Sequence, residues 1–144
     1  MREIIHQFLE QQFNSRVEIS RIRGLSGGDI NEVFRVDSNV GRFCLKKNYK
    51  SRFPEMFESE IKGLKLLQEN SPFRIPKVIG CFSDKTHQFL LMDYVEQGTP
   101  SSSFWETFGR NLAELHQKSD AFLGLDHNNY IGSLHQSNQQ HSSW

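Results

Sequence analysis

The chain has 144 residues, 36% of them hydrophobic, so it is long enough for one domain of ordinary size with a core, and full disorder is not expected. Its 17 basic and 17 acidic residues leave no overall charge to attract nucleic acid or an anionic membrane, and we expect neither as a partner. No apolar run approaches the ~20 residues of a membrane span, and two cysteines, Cys44 and Cys81, favour reduced thiols in the cytoplasm.

The first half of the chain predicts one helix followed by three strands. Apolar residues recur at helical spacing in residues 2–13, which predicts an N-terminal helix within residues 1–14. Residues 16–48 are short β-prone runs separated by turn residues, the pattern of antiparallel strands. A glycine-rich turn at 26–29 separates the first two strands, and residues 37–41 suit a hairpin between the second and third.

The second predicted helix follows Pro54, because proline suits a first helical turn and apolar residues then recur at steps of three and four. It ends at Ser71, since the residue before a proline disfavours helix. Two more strands are predicted at 77–82 and 88–95. The second contains a continuous apolar run, which indicates a central strand covered on both faces.

A third helix is predicted over residues 103–118, where Ser103 and Glu106 have the spacing of a capping box. This helix carries a stripe of bulky apolar residues for which the rest of the chain offers no evident cover. We therefore predict either self-association through this helix or disorder after about residue 119. Residues 119–144 are polar, and no element is predicted there.

The order of these elements predicts an α+β fold with a mainly antiparallel, five-stranded sheet and a helix packed on it. A glycine-rich first turn, a lysine on the third strand and an acidic helix next are the plan of a protein-kinase-like N-terminal lobe. We assign residues 1–96 to such an ATP-binding lobe. Residues 97–144 are assigned to the hinge exit and the beginning, with its first helix, of a helical C-terminal lobe.

Six segments in this order resemble the fructosamine (ketosamine) kinases, which are relatives of aminoglycoside phosphotransferases and choline kinases. The segments are GLSGGDIN (24–31), FCLKKN (43–48), MFESEIKGL (56–64), FLLMDYV (89–95), LAELH (112–116) and FLGLDHNNYIG (122–132). Together they cover nearly the whole chain, and the ordered set is more specific than any one motif. The last segment, followed by Gln136 and Asn138, favours fructosamine kinases over their broader relatives.

The resemblance implies a parent enzyme that transfers a phosphoryl group from ATP to a hydroxyl of a ketosamine, a sugar bonded to an amine, in protein deglycation. ATP and Mg²⁺ are the implied cofactors, and a free or protein-bound ketosamine is the implied substrate. The family's helical lobe carries a His-Gly-Asp loop and a metal-binding Asp. This sequence has no His-Gly-Asp, so we expect a truncated chain without the metal ligands, inactive alone.

Besides a part of a ketosamine kinase, two alternatives remain open from the sequence. One is a non-catalytic module that binds nucleotide or another protein. The other is a related kinase for choline or an aminoglycoside, and only the segment 122–132 argues against it.

The implied catalytic residues are Lys46 and Glu60. Strand alternation places Cys44 and Lys46 on one face, and Lys47 on the other. The resemblance then selects Lys46 to bind the α- and β-phosphates, Glu60 to pair with it, and Cys44 to lie against the adenine.

The implied cofactor-binding residues fall in two further places. The glycine loop, read from its pattern alone, is a tight turn or a flap whose backbone N–H groups approach phosphates; the resemblance favours the flap. Met92 to Val95 resemble the hinge, with backbone groups of Asp93 and Val95 at the adenine edge and Met92 behind it. The loop and hinge residues are Gly27, Gly28, Asp29, Ile30, Asn31, Met92, Asp93, Tyr94 and Val95. The six histidines lack metal-ligand spacing, so no metal ligand is assigned.

Overall fold

The computed structural model describes residues 1–27, 30–118 and 121–143. They form two compact units, one of residues 1–58 and 76–95, the other of residues 59–75 and those from 96 on. The elements of the first unit are α1 (Arg2–Phe13), β1 (Ile19–Leu25), β2 (Glu32–Ser38), β3 (Gly41–Tyr49), β4 (Val78–Ser83) and β5 (His87–Asp93). Helix α2 (Met56–Asn70) starts in the first unit, and the second contains α3 (Phe104–His116), β6 (Asn129–Ile131) and β7 (Leu134–Gln136).

The first unit is built on an antiparallel five-stranded sheet in the order β1-β2-β3-β5-β4. The predicted α+β fold is therefore confirmed. Strand β5 lies between β3 and β4, and its residues 88–92 are buried, as the continuous apolar run predicts. The predicted hairpin joins β2 to β3, where Ser38 pairs with Gly41 and Ser38 Oγ donates to Gly41 O at 2.9 Å.

One face of the sheet packs against α1 and forms the main core. Helix α1 has the bounds that its apolar stripe predicts, and its Ile5 and Leu9 are fully buried against Phe43 and Leu45 of β3 and their neighbours. The ring of Phe8 stacks on Phe82 with centroids 4.2 Å apart.

The opposite face of the sheet carries buried residues of a different kind. This face buries Leu90 and Met92 of β5 and also two amide side chains, those of Asn48 and Gln88. Gln88 Nε2 donates to Phe53 O at 2.6 Å. Phe53 precedes α2, whose first residues, Met56 and Phe57, are also buried.

The start of α2 differs slightly from the prediction. The helix begins at Met56 and not at Pro54, because Glu55 has a φ of 57°, which is incompatible with a right-handed helix. Further along, Leu66 and Leu67 are exposed, so the apolar stripe of α2 is only partly buried.

Helix α3 of the second unit lies within two residues of its predicted bounds, but the predicted capping box is wrong. Ser103 Oγ lies 3.3 Å from Ser101 Oγ and makes no cap bond to the described backbone, while Glu106 pairs with Arg110 at 2.8 Å. The hydroxyl of Ser101 thus contacts Ser103, and the guanidinium of Arg110 pairs with Glu106, in place of the two capping-box bonds. Every residue of α3 is at least partly exposed, with Trp105 at 73%, so self-association through it stays a prediction.

The polar segment after α3 contains the short hairpin of β6 and β7, which the sequence did not predict. The alternative of disorder after about residue 119 is therefore wrong for residues 121–143. Side-chain amides hold the segment, since Asn138 Nδ2 donates to Asn129 Oδ1 at 2.9 Å and the N–H of Asn138 donates to Asn128 Oδ1 at 3.0 Å. In the described part of the chain, no helix is long and apolar enough to cross a membrane.

Candidate functional site

The two adjacent lysines of β3 have different surroundings. Lys47 Nζ lies 2.7 Å from Glu32 Oε1, its partner across the strand, and the Lys47 side chain is only 17% exposed. Lys46 is half-buried and lies in register between Val33 of β2 and Leu90 of β5, on the face opposite to α1. Of the pair, Lys47 is therefore an ion-paired residue of the α1 face and not a solvated one, while Lys46 lies on the other face.

Cys44 and Met92 share the face of Lys46. They are register partners on β3 and β5, and Arg35 of β2 lies opposite Cys44 on the other side. Met92 is buried, whereas Cys44 is half-buried and is therefore not a fully enclosed core thiol. The sheet thus brings Cys44 and Lys46 onto one surface, as alternation predicts, and Met92 lies on the same surface.

The glycine-rich connection lies between β1 and β2. Gly27 has a φ of 108°, a conformation that glycine adopts without strain, and a Cβ there would meet no described atom within 4 Å. The backbone conformation, and not a lack of space, is what requires glycine. Gly28 and Asp29 lie outside the described residues. Ile30 and Asn31 are both half-buried and lead into β2.

Asn48 is a residue of this face that the sequence analysis missed. Its Nδ2 donates to Asn31 Oδ1 at 2.8 Å and lies 3.3 Å from Met56 Sδ. The residue is 4% exposed, and its Oδ1 has no hydrogen-bond partner in the part of the chain that the structure describes. The available signal was the spacing Lys46-x-Asn48, which puts a polar side chain on the lysine's face.

The hinge candidates continue from the end of β5. The N–H of Asp93 donates to Lys77 O at 2.9 Å, and the Asp93 carboxylate accepts from the Lys77 N–H. The N–H of Tyr94 donates to Arg42 O at 3.1 Å, and the Tyr94 ring lies under the guanidinium of Arg35. Because the Asp93 N–H is engaged, an adenine contact by Asp93 would have to use its carbonyl oxygen. Val95, two residues after Asp93, is exposed.

Glu60 lies in the second turn of α2 and is half-buried. It follows Met56 by four residues and Phe57 by three, so it shares their side of the helix. Both of those residues are buried. The pairing of Glu60 with Lys46 remains a prediction.

The chemistry of the Lys46 face suits a phosphorylated ligand with an apolar ring. A lysine ammonium is a donor for phosphate oxygens, and Cys44 and Met92 offer small and apolar contacts. The described residues contain no cluster of three or more histidine, cysteine or carboxylate side chains that could hold a metal ion. Binding of Mg²⁺ by other residues therefore stays a prediction.

The second unit has a separate polar pocket of about 360 Å³. Its lining is formed by Leu125, Asp126, His127, Asn128, Asn138, Gln139 and Gln140. The imidazole of His127 hydrogen-bonds the carboxylate of Asp126 at 2.5 Å and holds the pKa of that carboxyl below its usual value. The pocket lies in the segment that favours the fructosamine kinases, but neither side chain has an assigned role.

A family model described as fructosamine kinase matches residues 1–144. A probable ketoamine kinase of Vibrio parahaemolyticus is 34% identical over 148 residues, an alignment that covers 100% of this chain and 50% of the relative. The chloroplastic protein-ribulosamine 3-kinase of Oryza sativa subsp. indica is 33% identical over 130 residues, covering 88% of this chain and 37% of that protein. The chain thus spans about half the length of the curated relatives it matches first.

Two solved structures, both of putative fructosamine-3-kinases, are similar to this chain. A putative fructosamine-3-kinase of Haemophilus somnus 129PT superposes with a TM-score of 0.84 at 30% identity, covering 97% of this chain and 48% of that one. A second, of Thermobifida fusca, superposes with a TM-score of 0.74 at 21% identity, over 97% of this chain and 48% of that one, and supports the fold alone.

Proposed function

Because the chain belongs to the fructosamine kinase family, we propose that its residues supply the nucleotide-binding part of an ATP-dependent ketosamine kinase. The whole protein would transfer the γ-phosphoryl group of ATP to a hydroxyl of a free or protein-bound ketosamine, and so act in protein deglycation. The single observation that carries the nucleotide assignment is the face of β3. Lys46 lies there with Cys44 and Met92, while the adjacent Lys47 is ion-paired on the other face.

In this proposal Lys46 binds the α- and β-phosphate oxygens, and Glu60 orients its ammonium group. Backbone groups of the loop 27–31 approach the phosphates, which is favourable because N–H dipoles concentrate positive potential at one point. Cys44 lies against the adenine, and Met92 lies behind it. The hinge 92–95 supplies backbone contacts to the adenine edge, with the Asp93 carbonyl as the acceptor.

Catalysis in this reaction class is positioning plus electrostatic stabilisation, and it also requires Mg²⁺ and an Asp that accepts the hydroxyl proton. We infer that the base and the metal ligands belong to other residues, since these 144 contain no His-Gly-Asp sequence. The chain by itself is then a nucleotide-binding module without phosphotransfer. A cytoplasmic location, predicted from the two cysteines, belongs to this proposal as well.

A chimera tests the activity. The matching segment of the Vibrio parahaemolyticus relative is replaced by these 144 residues, and phosphorylation of a ribulosamine, a fructosamine, choline and an aminoglycoside is measured with ATP and Mg²⁺. We expect phosphorylation of the ketosamines, abolished by Lys46→Met and retained in Lys47→Met.

Phosphorylation of choline or the aminoglycoside in preference to both ketosamines would contradict the proposed substrate class. The chain alone is assayed beside the chimera. It should bind MgATP and release no phosphorylated ketosamine, and turnover by the chain alone would refute the assignment of the base to other residues.

A further inference from the structure

One buried side chain connects three parts of the candidate site. Asn48 lies at the end of β3, bonds Asn31 at the exit of the glycine loop, and contacts Met56 at the start of α2. We propose that Asn48 is a positioning residue that holds Asn31, where the connection from β1 enters β2, in place relative to Lys46. This inference rests on the nucleotide-binding function proposed above.

The placement of Asn48 relative to Lys46 makes this role possible. The two residues are separated by one position on β3, so their side chains lie on the same face about 6.7 Å apart along the strand. The loop between β1 and β2 is fixed at one end by the pairing of Leu25 with Val33. At its other end, the Asn48–Asn31 bond ties the loop to the strand that carries the lysine. Asn31 is thus bonded to the same strand that carries Lys46.

The hydrogen bonding of Asn48 argues against a purely stabilising role. The side chain is 4% exposed, yet its Oδ1 has no partner among the described residues. A buried acceptor without a hydrogen bond destabilises a fold, and an apolar residue of similar size avoids that cost. Beside the thioether of Met56, leucine would be compatible with the site. A residue kept for packing alone would not need the amide, whereas a residue that holds Asn31 does.

Gln88 provides a matched control. It is the register partner of Asn48 on β5 and is also a buried amide, 7% exposed. Its Nε2 donates to Phe53 O at 2.6 Å, so this bond goes to the segment before α2 and not to Asn31. Replacing either amide by leucine removes one buried polar group from the same layer, but only Asn48→Leu removes the bond to Asn31.

The experiment compares the affinities of MgATP and adenosine by titration calorimetry. Adenosine reports the ring contacts, and the ratio of the two affinities reports the contribution of the phosphates. We expect Asn48→Leu to lower that ratio by roughly three- to tenfold, the worth of one well-placed hydrogen bond, with adenosine affinity unchanged. Gln88→Leu should leave the ratio unchanged. Asn31→Ala should lower it, and the double variant Asn31→Ala/Asn48→Leu should lower it no further than the larger single change.

Amide hydrogen exchange gives a readout that does not depend on nucleotide. Asn48→Leu should speed exchange at Ile30 and Asn31 and leave β5 unchanged, and Gln88→Leu should not speed exchange at Ile30 or Asn31. If Asn48→Leu does not fold, Asn31→Ala removes the same bond from the loop side and is measured in its place.

An unchanged affinity ratio in Asn48→Leu, or an equal fall in Gln88→Leu, would overturn the positioning role. If the unmodified chain binds neither adenosine nor MgATP, the proposed function fails. The anchoring of Asn31 is then decided by exchange alone, and unchanged exchange at Ile30 and Asn31 would overturn it too.

Discussion

The two faces of the sheet differ in what they bury. The α1 face is closed by apolar side chains, with Ile5, Leu9 and Leu45 fully buried. The opposite face buries Leu90 and Met92 together with two amides, and also carries a half-buried lysine and thiol. Adjacent residues of β3 belong to different faces, so Leu45 contributes to the apolar core while Lys46 lies on the face to which we assign the nucleotide. The alternation of one strand thus separates the apolar core from the face on which we propose that the nucleotide binds.

The largest effect on stability is expected on the α1 face. Leu45→Ala removes a fully buried side chain and leaves a cavity, which should lower the free energy of unfolding by about 2–5 kcal/mol. Cys44→Ala, one position away on the half-buried face, removes less buried surface and should cost less than about 1.5 kcal/mol. Urea unfolding measures both. Equal losses of unfolding free energy would contradict the conclusion that β3 buries more of its side chains on the α1 face than on the opposite face.

A smaller effect is expected where α1 approaches the sheet edge. A Cβ at Gly80 would lie 2.8 Å from Phe8 Cζ, so Gly80→Ala should push the ring and destabilise the fold by about 1–3 kcal/mol. Gly109→Ala is the matched control. This glycine lies inside α3, its added Cβ would meet no described atom within 4 Å, and alanine favours helix, so the fold should gain about 0.5–1 kcal/mol.

The thermal unfolding midpoint shows directly whether each glycine variant is more or less stable than the parent chain. A midpoint that rises in Gly80→Ala as well would show that α1 is free to move away from the sheet, and the tight packing of this face would be refuted.

The smallest effect is expected at the turn joining β4 to β5, away from both faces. Asp84 Oδ1 accepts the N–H of His87 at 2.6 Å and that of Thr86 at 2.8 Å, and these bonds lower the pKa of Asp84. A carboxyl with a lowered folded-state pKa stabilises the fold above its unfolded pKa of about 3.9, and the gain is lost as pH falls through the folded value.

Asp84→Ala should therefore cost about 1 kcal/mol at pH 7, and the gap to the parent should narrow as pH falls below about 4. Asp84→Asn retains an acceptor oxygen and should cost less. Urea unfolding at pH 7 and pH 3 measures the gap, and a gap that widens in acid would contradict the assigned cause.

Short-range periodicity made much of this fold predictable. The stripe in residues 2–13 predicted α1, and the apolar run at 89–92 predicted a central β5. Alternation on β3 predicted that Cys44 and Lys46 share a face. Each of these conclusions depends only on residues a few positions apart.

The features that were missed depend on distant or competing partners. The spacing Lys46-x-Asn48 places Asn48 on the lysine's face, but its bond to Asn31, 17 residues earlier, is a contact that no local pattern reveals. The capping box at Ser103 fails because Ser101 and Arg110 engage its two side chains. The hairpin of β6 and β7 is held by side-chain amides in a segment whose composition indicates only polarity.

The most direct test of the account compares two single-charge removals on one strand, Lys46→Met and Lys47→Met, by the affinity of the chain for MgATP. Lys46→Met should weaken binding by roughly 10- to 100-fold, because a charge-assisted phosphate contact is lost. Lys47→Met removes only the ion pair with Glu32 and should change the affinity by less than about twofold. Equal affinities in the two variants, or the larger loss in Lys47→Met, would contradict the assignment of the nucleotide to the face opposite α1.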